Sequence, residues 1–189
     1  MERKYTFVIG AGASREFDFP IGNELVSKIS ELLRIKVDDL ERPSSGNREL
    51  LASLSRLSHP DPSKRLNQAY VYSTANWVSE NMGLAASIDN FLDAHRERTL
   101  LPEIGKIAIA CALLDSEKNS ALWFDWQKEQ KNRGFADFPP NWLTTLFRLL
   151  TTQRDFQAFR NALRSFRFVT FNYDRVIEKF FSDAINSYY

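Results

Sequence analysis

Two short runs of β-branched and aromatic residues, YTFVIG at 5–10 and FRFVTF at 166–171, stand near opposite ends of a chain of 189 residues. Each reads as a strand. The first breaks into glycine and the second into N-Y-D. More than a hundred residues between them show no convincing two-residue alternation. Apolar residues recur there at helical spacing instead, over 47–57, 65–81, 87–96, 102–115, 119–131, 140–151 and 154–164. A parallel crossover needs only about a dozen residues, so this middle is much more than a connection. The chain must bring two remote strands together around a helical body.

The first strand runs into Gly10, Ala11, Gly12, Ala13 and Ser14, and then through a loop into GNELVSKISELL. In that segment Leu25, Val26, Ile29, Leu32 and Leu33 make one apolar stripe. Strand, glycine-rich turn and helix together open a nucleotide-binding α/β unit. Small residues after a strand let a backbone approach a pyrophosphate with its N–H groups directed at the anion. The dinucleotide fingerprint is incomplete, because Arg15 stands where a third glycine belongs and no helix is expected to begin there. Taken alone, the turn also suits a tight corner with no ligand.

The expected fold is therefore α/β, a Rossmann-like parallel sheet from 1–46 and 165–189 with a large, mostly helical insertion at 47–164. RPSSGN and SHPDPSK read as loops. Two strands do not make a stable open sheet, so further strands are expected beyond Tyr189 and the domain is expected to be incomplete. The second strand leads into YDRVIEKFFSDAI, where Val176, Ile177, Phe180, Phe181 and Ile185 form another helical apolar face.

Composition narrows the function. With 43% apolar and 13% aromatic residues the chain can bury a substantial core. Its 25 basic and 24 acidic side chains are interspersed, for a net charge of +1, which supplies no field for phosphate backbones or anionic lipid. Neither nucleic acid nor membrane is an expected partner. The single cysteine, Cys111 in KIAIACALL, leaves no internal disulfide and no cysteine-rich zinc site, and it reads as a small core residue. There is no signal-like leader and no long apolar run, so a cytoplasmic setting is expected.

The motifs resemble the sirtuin-like superfamily, the silent-information-regulator type, in its bacterial branch of NAD-consuming domains. GAGAS at 10–14 with Pro20 beyond it is similar to the sirtuin run G-A-G-x-S…G-I-P. TFNYD at 170–174 is similar to the branch's T-x-N-Y-D and more distantly to T-Q-N-I-D, and SIDNFL at 87–92 resembles a recurrent segment of the branch. About twenty positions match, in the family's order and across nearly the whole chain. The resemblance implies NAD as a substrate, without a metal. It implies that residues 10–14 and Pro20 hold the phosphate side of NAD, and that Thr170 and Phe171 belong to its binding motif. Asn172 would face the nicotinamide ribose, Asp174 would help define the nicotinamide and ribose site, and Asp89 would lie near the cleft.

Those residue types suit the chemistry. Cleaving an N-glycosidic bond builds positive charge on the ribose, which fixed polar groups stabilise. A carboxamide can orient a hydroxyl or water without ionising. A purely structural reading stands beside this one, with Asn172 capping the following helix, Asp174 as a favourable first-turn charge, and Ser87 capping a helix with Ile88, Phe91 and Leu92 inward.

Departures from the family shape the expected activity. Phe171 replaces a glutamine, and the paired zinc cysteines of the deacetylases have no counterpart, so hydrolysis of NAD to nicotinamide and ADP-ribose is expected rather than deacylation. The family's histidine follows T-x-N-Y-D, yet no histidine follows residue 174 here. The general base is then either His95, at the end of SIDNFLDAH, or a residue beyond 189, in which case this chain alone is weak or inactive. His59 sits in a proline-flanked turn and reads as inert. By analogy, the resemblance implies homo-oligomers and NAD depletion in defence against phage.

Rival readings are a non-catalytic sensor of NAD or ADP-ribose, a ligand-free scaffold, and, less favoured, an NAD-dependent dehydrogenase. The last lacks a placeable acidic residue after a second strand. Trp123, Trp126 and Trp142 in WFDWQKEQKNRGFADFPPNW read as core ahead of a partner surface, and KEQKNR as a solvated helix face.

Overall fold

The computed structural model describes residues 5–39, 42–57, 67–123, 135 and 138–189. The two end strands pair. Strand β1 (Tyr5–Ile9) lies parallel to the strand Phe166–Thr170, with Tyr5 opposite Phe166 and Ile9 opposite Thr170. Because side chains alternate, Tyr5, Phe7 and Ile9 share a face with Phe166 and Phe168. The Phe7 ring stacks on Phe166 and Phe168 at 5.7 and 5.5 Å between centroids. On the other face Val8 and Val169 are 68% and 44% exposed.

The order along the chain is β1, a 3-10 segment Ala11–Phe17, α1 (Gly22–Leu32), β2 (Lys36–Val37), β3 (Pro43–Ser45), α2 (Arg48–Leu54), α3 (Gln68–Asn81), α4 (Ile88–Ala94), α5 (Leu101–Asn119), α6 (Trp142–Thr151), α7 (Phe156–Leu163), β4 (Phe166–Thr170) and α8 (Val176–Tyr188). The architecture is α/β, and its one parallel sheet among the described residues has two strands, β1 and β4.

The chain divides into two compact units, one of 1–20 with 116–189 and one of 21–115, with α5 running through the boundary. In the first, the terminal unit, the core is largely phenylalanine. Phe180 of α8 meets Phe17 and Phe147 edge-on, both at 6.3 Å, and Phe135 at 5.6 Å. Phe159 of α7 packs on Phe147 at 5.5 Å. Asn141 and Asp155 cap α6 and α7 by accepting the N–H groups of Thr144 and Ala158. Residues 142–163 thus pack with α8 and its C-terminal end, Phe147 on Phe180 and Phe181 and Phe159 on Tyr189.

The middle unit buries Val26, Ile29 and Leu33 from α1 with Val71, Ala75 and Val78 of α3, and with Leu101, Ile104 and Ala108 of α5. The Asn76 side chain acts as a strand partner to residue 35, donating to the Ile35 carbonyl at 2.9 Å and accepting its N–H at 2.8 Å. Gly105 of α5 lies against Leu92 of α4 so closely that an added Cβ would stand 2.4 Å from a Leu92 methyl.

Several expectations need correction. Residues 11–17 form a 3-10 segment rather than a loop. The Gly10 carbonyl accepts the Ala13 N–H, buried Phe17 anchors the far end, and Asp18 closes it at φ 66°. Pro43–Ser45 is a short strand antiparallel to Lys36–Val37, where a loop was expected; proline is tolerated as the first residue of such an edge strand. Helix α5 continues to Asn119, and α8 begins at Val176 rather than at Tyr173. The remainder of the expected helix 119–131, with His59, Trp126 and KEQKNR, lies outside the described residues.

Candidate functional site

The parallel register sets the site. Ile9 and Thr170 end their strands side by side, so the chain leaves both at the same sheet edge. Ligands of open α/β sheets bind at this carboxyl edge. The Phe171 N–H extends the pairing by donating to the Ile9 carbonyl at 3.1 Å, which aligns the two exits.

Asn172 joins them. Its Nδ2 donates to the Gly10 carbonyl at 3.2 Å and to the Ser14 hydroxyl at 2.9 Å. A carbonyl oxygen only accepts, so the nitrogen end of the carboxamide must face the glycine turn. The oxygen end, Oδ1, points away and is buried with no hydrogen-bond partner among the described residues. Ser14 is 3% exposed, whereas Gly10, Ala11 and Gly12 lie on the surface and Ala13 is half-buried. A Cβ added to Gly10 or Gly12 would meet nothing within 4 Å, and neither glycine has a positive φ. Neither packing nor backbone conformation requires glycine at these two positions. The first N–H groups of a helical segment have no carbonyl within it to receive them, and here they belong to this exposed stretch.

The second loop is held locally. The Thr170 hydroxyl accepts the Asn172 N–H at 3.1 Å, and Asp174 Oδ1 accepts the N–H of Val176 at 3.1 Å at the start of α8. Asp174, and not Asn172, accepts an N–H of the first turn of α8, while the N-cap position is Arg175, which makes no side-chain cap bond. Phe171 is 76% exposed. Pro20 is half-buried just beyond the 3-10 segment.

Trp142 supports the glycine turn from α6, a connection that sequence reading missed. Its indole Nε1 donates to the Ala13 carbonyl at 2.9 Å, and its backbone N–H donates to the Glu16 carboxylate at 2.9 Å. Trp142 is half-buried and Trp123 half-exposed, so neither is a simple core residue. No local pattern signals a bond between residues so distant in sequence.

Beside the start of α8 lies a cavity of about 290 Å³ lined by Phe19, Glu117, Trp123, Arg175, Val176 and Lys179, among others. Glu117 grips Arg175 with both carboxylate oxygens, at 3.0 and 3.1 Å. That hydrogen bonding, reinforced by charge, raises the guanidinium above its ordinary pKa, so Arg175 stays charged at any working pH.

Two further residues considered stand in the middle unit. Asp89 is exposed in the first turn of α4, whose N-terminus Ser87 caps by accepting the Asn90 N–H at 3.1 Å. Ile88 and Phe91 are buried and Leu92 half-buried. His95 ends α4 with Nδ1 2.8 Å from the Phe91 carbonyl, so that nitrogen carries a proton. Its ring lies edge-on to Trp77 at 5.2 Å, and Arg98 covers the Trp77 ring at 4.0 Å. Cys111 is buried in the core, and no cluster of three or more potential metal ligands occurs among the described residues. Among those residues no helix is long and apolar enough to cross a membrane.

The fold and site together define an α/β protein with a polar junction at the carboxyl edge of two parallel strands. Neither a protein-family model, nor a curated protein, nor a solved structure matches the chain.

Proposed function

We propose that this chain carries an NAD site of the sirtuin-like kind and that its terminal unit is part of a Rossmann-like domain. The reading rests on one observation above all. Gly10, Ser14 and Asn172, assigned to one site by resemblance, meet at the carboxyl edge of a parallel sheet, with a carboxamide oxygen that has no partner among the described residues. The surface glycines leave room for a close phosphate. In this reading the pyrophosphate lies against residues 10–13 and is received through the backbone N–H groups of Ala11 and Gly12, the Ala13 N–H being held by the Gly10 carbonyl. The Asn172 oxygen accepts a hydrogen bond from a ribose hydroxyl or from the attacking water, and the reaction is hydrolysis of NAD to nicotinamide and ADP-ribose.

A second reading, a sensor that binds NAD or ADP-ribose without turnover, is favoured by a specific fact. Both histidines, His59 and His95, fall within 21–115, so the unit carrying the junction contains none. Calorimetric titration with NAD, alongside chromatographic measurement of nicotinamide, separates the possibilities. Saturable binding is the expected result, with nicotinamide release where a general base, His95 or a residue beyond 189, completes the site, and weak or no release from this chain alone otherwise. Binding without release in the presence of such a base selects the sensor. No binding and no thermal stabilisation in millimolar NAD would leave a scaffold whose glycines serve only the turn.

A further inference from the structure

By resemblance Ser14 belongs with the residues that touch the NAD phosphates, but its geometry suits a different task. The side chain is 3% exposed, and its hydroxyl lies 2.9 Å from Asn172 Nδ2. We infer that Ser14 is a positioning residue that acts through Asn172 and does not contact the ligand. This inference rests on the NAD-site reading for its consequence in turnover, though not for its geometry.

The argument is one of hydrogen-bond satisfaction. The Asn172 amide nitrogen has two hydrogens, and both are used, one by the Gly10 carbonyl and one by Ser14 Oγ. Flipping the carboxamide would set its oxygen against the Gly10 carbonyl oxygen, two acceptors at a distance that needs a donor. The flipped form is therefore excluded by the Gly10 carbonyl, whereas the Ser14 hydroxyl, which can donate as well as accept, fixes the position of the amide and not its sense. A freely turning amide would present nitrogen and oxygen in turn, whereas this one offers only Oδ1. That oxygen is buried and has no partner among the described residues, so a donor reaches it only when the 171–174 loop shifts on binding, and is then gained without loss of a water contact. The Gly10 carbonyl thus selects a donor-bearing group, a hydroxyl or a water, as what Asn172 recognises, and Ser14 steadies the amide that does so. Together they hold the acceptor in place before the ligand arrives.

Ser14→Ala removes one of the two anchors and adds no bulk. With NAD as substrate, kcat for nicotinamide release should fall on the order of 10–100-fold, as small misplacements of reacting groups do, while KM changes less than about threefold. Ser14→Thr, which keeps the hydroxyl, should recover most of the rate. A raised KM with unchanged kcat would show that Ser14 touches the ligand and would overturn the inference. Asn172→Asp supplies a second variant, since it places a carboxylate oxygen against the Gly10 carbonyl. It should be less stable at neutral pH than in mild acid, where the protonated carboxyl can donate. Equal loss at both pH values would count against the geometry.

A readout independent of NAD keeps the inference separable from the proposed function. In the wild-type protein the two side-chain amide protons of Asn172, followed by nitrogen-15 NMR, should exchange slowly with solvent, and Ser14→Ala should release one. If wild type neither binds nor cleaves NAD, the functional reading fails and the exchange measurement alone decides the positioning. Fast exchange in wild type, or no change in the alanine variant, sinks it.

Discussion

At the scale of single residues, two questions left open by the sequence now have discriminating substitutions. Gly10 and Gly12 need to be glycine for neither packing nor backbone angle, since an added Cβ meets nothing within 4 Å. Gly10→Ala and Gly12→Ala should therefore leave stability within about 0.5 kcal/mol in urea unfolding, as at ordinary surface sites. NAD affinity, measured by calorimetry, should drop at least about tenfold if the pyrophosphate lies against this backbone. Unchanged affinity would return these glycines to turn-making. For Asp174, the bond from Val176 N–H identifies a structural role at the start of α8, one residue before the N-cap Arg175. Asp174→Ala should lower stability by about 1 kcal/mol, while Asp174→Asn keeps the acceptor and should cost only a few tenths. A loss of nicotinamide release in the asparagine variant at near-native stability would show that the charge serves the ligand as well. The residue types of the site were legible in GAGAS and TFNYD. The orientation of the Asn172 amide was not, because it depends on which groups of a remote loop face it.

Among elements, the crossing of α4 and α5 is the tightest described contact at any glycine. Alanine at 105 should gain roughly 1 kcal/mol of helix propensity but must displace Leu92, whose two methyls and γ carbon stand at 2.4, 2.7 and 3.1 Å from the new Cβ. No single methyl rotation clears all three. Overpacking of this kind costs roughly 1–3 kcal/mol, so Gly105→Ala should be destabilising by about 1 kcal/mol net in urea unfolding. Combined with Leu92→Ala the penalty should shrink, giving a non-additive cycle. Strict additivity would mean that the helices separate freely. Most helices were readable from apolar spacing, and α1, α3, α6 and α7 fall close to their expected places. The 3-10 segment was not, since Arg-Glu-Phe-Asp carries no helical period and the segment is held by buried Phe17 against Phe180. Lys36–Val37 and Pro43–Ser45 were equally hidden, being too short to show alternation.

For the whole molecule, ligand binding should leave a local mark. A ligand at one hundred times its Kd adds about 2.7 kcal/mol to the stability of the folded state. Hydrogen exchange in saturating NAD should slow at 10–17 and at 170–176 together, the two stretches joined by Asn172. Protection of only one stretch would break the proposed site, and added protection at 87–92 would bring Asp89 into it. The sequence by itself determined that the chain has strands near its two ends, helices between them, a small-residue turn after the first strand and N-Y-D after the second. Those are properties of neighbouring residues, carried by period, turn chemistry and side-chain type. Tertiary structure alone decided that Ile9 and Thr170 end level with each other, that Trp142 braces the glycine turn, and that the carboxamide oxygen of Asn172 has no partner among the described residues. Each of these depends on register and on contacts across more than a hundred residues of chain, which no local pattern encodes.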